Sequence, residues 1–106
     1  MQKRILYIDD NIIELVILER KLEGKFIFDW LPTLNGSRML SKERDYELVI
    51  VDKIGTTLED CPVSYLKMID CDKKIVTSSV EPKEDIKAEF VLKEELEGWI
   101  LKNLTC

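Results

Sequence analysis

Glu47-Leu48-Val49-Ile50-Val51-Asp52 is the stretch on which the reading of this chain turns. Leu48–Val51 is an unbroken apolar run with no polar face, the pattern of a strand covered on both sides, and it ends on a carboxylate. Working outward, three other runs have the same build. Arg4-Ile5-Leu6-Tyr7-Ile8 leads into Asp9-Asp10, Lys74-Ile75-Val76 into Thr77, and Glu89-Phe90-Val91-Leu92 into Lys93. With Phe26-Ile27-Phe28 they make five short strands. Helical patterns lie between the runs, and that alternation predicts βαβ units and a doubly wound parallel α/β sheet. Ligands of open sheets bind beyond the C-terminal strand ends. Asp9, Asp10, Asp52, Thr77 and Lys93 are therefore predicted to converge on one edge.

The helical segments have recognisable punctuation. The first follows Asp9-Asp10-Asn11 and runs to about Glu23, with Ile12, Leu15, Val16 and Leu22 near one face. Asp10 or Asn11 can cap it and Gly24 can end it. Ser37–Glu43 and Pro62–Ile69 are read as further helices. The last, about Glu95–Leu104, is expected to bury Leu96, Trp99, Ile100 and Leu104, with Glu94-Glu95 and Lys102 suiting the helix dipole. Glu81–Lys87 leaves room for only a turn or two, a stunted fourth helix opening at Pro82.

At 106 residues, 45% apolar and 35% charged, the chain is expected to form one globular domain spanning 1–106. A net charge of −5 argues against direct contact with nucleic acid or an anionic membrane. No apolar run suits a transmembrane helix or a signal peptide, so a cytoplasmic location is expected. Cys61, Cys71 and Cys106 form no CxxC pair and there is no His, which disfavours a structural zinc site and removes any His-based triad.

Clustered carboxylates repel one another, and a cation is the natural way to hold three of them in a dehydrated pocket. Mg²⁺ suits such a set because it takes oxygen ligands and leaves room for waters and a phosphate. One carboxylate could then be a nucleophile towards a phosphoryl group. The Lys93 ammonium could neutralise phosphoryl oxygens and the Thr77 hydroxyl could donate to another. Taken singly, each residue has an ordinary explanation: a helix cap, a loop starter, a turn, a solvated charge. Together, all the strand ends that should share an edge carry the residue types this chemistry needs.

With those residues assembled, the chain resembles the receiver domain of two-component response regulators, CheY-like, from Lys3 to Leu104. The resemblance rests on Arg4–Asn11, Asn35–Leu40, Tyr46–Asp52, Ile75–Ser78 and Phe90–Lys93. It implies a flavodoxin-like strand order of 2-1-3-4-5, with Asp52 as acceptor of a phosphoryl group from a phosphohistidine. It further implies that Asp10 and Asp52 ligate Mg²⁺ directly, Asp9 mainly through water, with the backbone carbonyl of Ile54 completing the set. Lys93 would pair with the phosphoryl group, Thr77 would be the switch hydroxyl, and Phe90 occupies the family's aromatic switch position. The implied partners are a sensor histidine kinase or phosphotransfer protein and a downstream effector protein, with the chain a monomer or weak dimer. It would not be an enzyme beyond promoting its own phosphorylation and dephosphorylation.

The chain also departs from the family pattern. Gly55-Thr56 stands where Met-Pro is usual, and Glu94 follows Lys93 where a cis Pro is usual. A cis bond before Glu costs several kcal/mol, about 3–4 in peptides, so a trans bond is expected with either a shifted Lys93 or a strained loop. The stunted fourth helix alters a face that the family commonly uses for dimerisation or output. These departures motivate an alternative, a degenerate receiver that binds a partner constitutively without phosphorylation. A metal-dependent phosphohydrolase fits less well, because Asn11 stands where a second acid would follow Asp9.

Overall fold

Leu48–Asp52 is a strand with every residue buried, and it lies at the centre of the sheet. The computed structural model describes residues 3–9, 11–22, 24–32, 44–52, 71, 73–79 and 89–104. Five strands are formed: β1 Lys3–Ile8, β2 Phe26–Leu31, β3 Leu48–Asp52, β4 Lys74–Ser78 and β5 Phe90–Leu92. All pairings are parallel and the order is β2-β1-β3-β4-β5. The sheet is thus the doubly wound arrangement the sequence predicts. Two α-helices are described, α1 Ile12–Leu22 and α2 Leu96–Leu104, the second entered through a 3-10 turn at Lys93–Glu95. The helices expected at 37–43 and 62–69, and the stunted fourth helix at 81–87, lie outside the described residues.

Strand alternation sorts the core into two faces. Ile5, Tyr7, Phe26, Leu48, Ile50, Ile75 and Val91 pack with Leu15, Leu18 and Leu22 of α1 and with Leu96, Ile100 and Leu104 of α2. The other face gathers Leu6, Ile8, Tyr46, Val49, Val51 and Val76, with Leu31, Cys71 and Phe90 against them. Each fully buried aliphatic contributes on the order of 1.5–3 kcal/mol.

The boundaries and faces differ from expectation in instructive ways. β2 runs three residues past Phe28, because Asp29 is not left unpaired: its carboxylate accepts from Arg4, Arg44 and Tyr46. In α1 the buried positions are Leu15, Leu18 and Leu22, whereas Ile12 and Val16 are 45% and 39% exposed. Asn11 caps the helix, its Oδ1 accepting from the Ile13 amide at 3.0 Å. Gly24 then takes φ +74°, a conformation glycine adopts without steric cost, as the chain turns into β2. In α2, Trp99 is only half-buried and its indole donates to Glu89. Among the described residues no helix is long and apolar enough to cross a membrane.

Candidate functional site

The parity that builds the first core face also builds the site. Asp9 continues the row of Ile5 and Tyr7, Asp52 that of Leu48 and Ile50, Thr77 that of Ile75, and Lys93 follows two residues after Val91. Asp52 is in register with Thr77, and Ile8 with Val51, so one further step sets Asp9 beside Asp52. Asp9 is 1% exposed, Asp52 2% and Thr77 0%.

Lys93 joins them. Its Nζ lies 2.5 Å from Asp52 Oδ2 and donates to Asp9 Oδ2 at 3.2 Å. The bond to Glu94 is trans, there being no cis peptide among the described residues, and the lysine still reaches both carboxylates. Burial pulls the Lys93 ammonium down, but Asp52 and then Asp9 outweigh it and hold its pKa above the ordinary lysine value. Burial and the Asp52 charge raise the Asp9 carboxyl, against the lowering effects of the Asn11 amide and of Lys93.

Asp9 is held at every polar atom. Its amide donates to the Leu31 carbonyl and its carbonyl accepts from the Trp30 indole at 2.7 Å. Its Oδ1 accepts from the Asn11 amide at 2.9 Å, and its Oδ2 accepts from the Tyr7 hydroxyl at 3.3 Å besides Lys93. Neither Tyr7 nor Trp30 figured among the site residues read from sequence. The available signal was the spacing of Tyr7 and Asp9, two apart on one strand and so on one face.

The Thr77 hydroxyl is the reverse case: it is fully buried and has no hydrogen-bond partner among the described residues. Phe90 opens β5 opposite Val76 and packs into the second core cluster, across the sheet from the carboxylates. Asp10 and the Ile54 carbonyl lie outside the described residues. The structure thus brings together Asp9, Asp52, Thr77 and Lys93 and sets Phe90 apart.

Among the described residues two buried carboxylates face one ammonium where water is scarce, and the atoms there able to ligate a cation are oxygens. That chemistry fits a hard divalent cation, for which Asp9 and Asp52 are the described ligand candidates. A buried hydroxyl in register with Asp52 and with no acceptor among the described residues suits a group that brings its own oxygens.

No protein-family model matches the chain, and no curated protein matches it in sequence. Solved structures do. A response regulator receiver domain protein (CheY-like) from Methanospirillum hungatei JF-1 aligns with a TM-score of 0.74 at 19% identity, over 98% of this chain and 94% of that one. A response regulator from Burkholderia pseudomallei, crystallised with a phosphorylated aspartic acid, a calcium ion and citrate, aligns at 0.72 and 19% identity, covering 98% of this chain and 67% of that one. A Saccharomyces cerevisiae response-regulator receiver domain, co-crystallised with a histidine phosphotransfer signalling protein, aligns at 0.71 and 13% identity, over 95% and 88%. The fold is that of a CheY-like response-regulator receiver domain.

Proposed function

We propose that this chain is a phosphoryl-accepting signalling domain in which Asp52 is the acceptor. The observation that carries this reading is the Lys93 ammonium held between buried Asp9 and Asp52, with the Thr77 hydroxyl, which has no partner among the described residues, in register beside Asp52. In the reaction a carboxylate oxygen of Asp52 attacks phosphorus, the phosphorus–nitrogen bond of a donor phosphohistidine breaks, and the imidazole leaves with the bonding pair. Mg²⁺, when bound by Asp9, Asp10, Asp52 and the Ile54 carbonyl, would neutralise the phosphoryl oxygens and the carboxylates that face them. Lys93 would move from its ion pair with Asp52 to a phosphoryl oxygen, and the Thr77 hydroxyl would donate to another. The loop after β4 would be drawn in, and a downstream effector protein would read that change.

The donor in this reading is a sensor histidine kinase or phosphotransfer protein. The solved neighbours with a phosphorylated aspartic acid and with a phosphotransfer protein support it by fold. The domain works in the cytoplasm, as a monomer or weak dimer, and turns over no other substrate. The constitutive-binding alternative draws on the same ion pair, since Lys93 already occupies Asp52. Intact-mass analysis after incubation with Mg²⁺ and acetyl phosphate separates the two. A phosphoryl adduct on the wild type and none on Asp52→Asn supports the proposal, and no adduct on either supports the alternative.

A further inference from the structure

Tyr7 carries more chemistry than its place in the core requires. Its ring is 1% exposed, in register with Trp30 of β2 on one side and Ile50 of β3 on the other. An aliphatic or phenyl side chain would satisfy such a position, while a hydroxyl adds a polar atom that needs a partner away from water. That partner is Asp9 Oδ2. Trp30, its neighbour in register, grips the same residue by its backbone carbonyl.

We propose that Tyr7 is a positioning residue for divalent-cation binding, its hydroxyl fixing the Asp9 carboxylate while the Lys93 ammonium stays on Asp52. The inference rests on the reading of the site as a cation-dependent phosphoryl acceptor. Asp9 Oδ2 takes two donors, Tyr7 and Lys93, and Oδ1 takes the Asn11 amide, so the plane of the carboxylate is set by groups on both sides. Without the hydroxyl, Lys93 becomes the one side-chain donor to Oδ2 among the described residues. The ammonium is then drawn towards Asp9, and the carboxylate can turn with it. Outer donors of this kind change metal affinity by about 10–100-fold when removed. A neutral hydroxyl at 3.3 Å belongs at the lower end.

The test uses Mn²⁺ alone as probe, with free ion counted by electron paramagnetic resonance, on wild type, Tyr7→Phe and Tyr7→Met. Both variants lack the hydroxyl but fill the core differently. Both are expected to unfold cooperatively and to bind Mn²⁺ about tenfold more weakly than wild type. Their acetyl phosphate labelling is expected to need more Mg²⁺ and to return to the wild-type plateau at saturation. Wild-type Mn²⁺ affinity in Tyr7→Phe overturns the proposal, as does a loss that follows side-chain shape rather than the hydroxyl. Absence of Mn²⁺ binding in the wild type itself removes the cation-dependent reading and this proposal with it.

Discussion

Lys93 Nζ lies 2.5 Å from Asp52 Oδ2 although Asp52 ends β3 and Lys93 follows β5, with β4 between those two strands. The lysine approaches from beyond β5 and continues to Asp9 past β1. One ammonium therefore ties three strand ends together, and it is the described group that offsets two buried acids.

Removing that charge leaves the carboxylates facing each other. Lys93→Met is expected to lower unfolding stability by about 3 kcal/mol, the low end for breaking a buried pair, because the lysine side chain is 17% exposed. Urea denaturation measures it. Adding Asp9→Asn to the same variant should recover part of the loss, since the like-charge contact goes with it. An unchanged midpoint in Lys93→Met would mean that the pair carries no net stability.

Thr77 predicts a change of the opposite sign. Its buried hydroxyl has no partner among the described residues, an arrangement that costs about 1–3 kcal/mol, and Val has nearly the same shape. Thr77→Val is expected to raise the stability of the unmodified protein by about 1 kcal/mol while weakening its response to phosphorylation. Paired thermal melts with and without acetyl phosphate test this: the variant should start higher and shift less.

Two acids should shape the pH dependence in opposite directions. Burial opposes ionisation of Asp29, but its bonds from Tyr46, Arg44 and Arg4 outweigh this and hold its pKa below the ordinary 3.8. Its contribution is therefore present above pH 3.8 and lost as pH falls through the lower folded value. Asp9 is held above 3.8, chiefly by burial, so the native state takes up its proton first and stability rises as pH falls from that raised value towards 3.8. Urea midpoints across pH should show Asp9→Asn flattening the upper arm and Asp29→Asn the lower. At neutral pH Asp29→Asn is expected to cost about 1.5–3 kcal/mol, the range for hydrogen bonds to a charged group.

What the sequence showed and what it hid have physical reasons. Leu48–Val51 could be placed because a run apolar on both faces fits few environments, and Asp9, Asp52 and Thr77 followed from where such runs stop. The buried face of α1 was legible only in part: Leu15 and Leu22 are buried as expected, but Ile12, Ile13, Val16 and Ile17 are apolar yet exposed, so the helix is apolar nearly all round and its periodicity selects a face poorly. β2 looked shorter than it is because Asp29 reads as a stop until Arg44 and Tyr46 are folded beside it. Lys93 reaches the site without the proline that usually follows it, because four flexible methylenes can absorb a change in backbone path. Tyr7 passed as an ordinary core aromatic, since a hydroxyl's partner is a property of the folded face and not of the run.

The central claim is that the carboxylate of Asp52 becomes an acyl phosphate. Borohydride reduction after labelling with acetyl phosphate and Mg²⁺ converts an aspartyl phosphate to homoserine, and peptide mapping then locates it. The account predicts homoserine at position 52 alone, dependent on both reagents. Homoserine at Asp9 or another acid, or none at all, would contradict it.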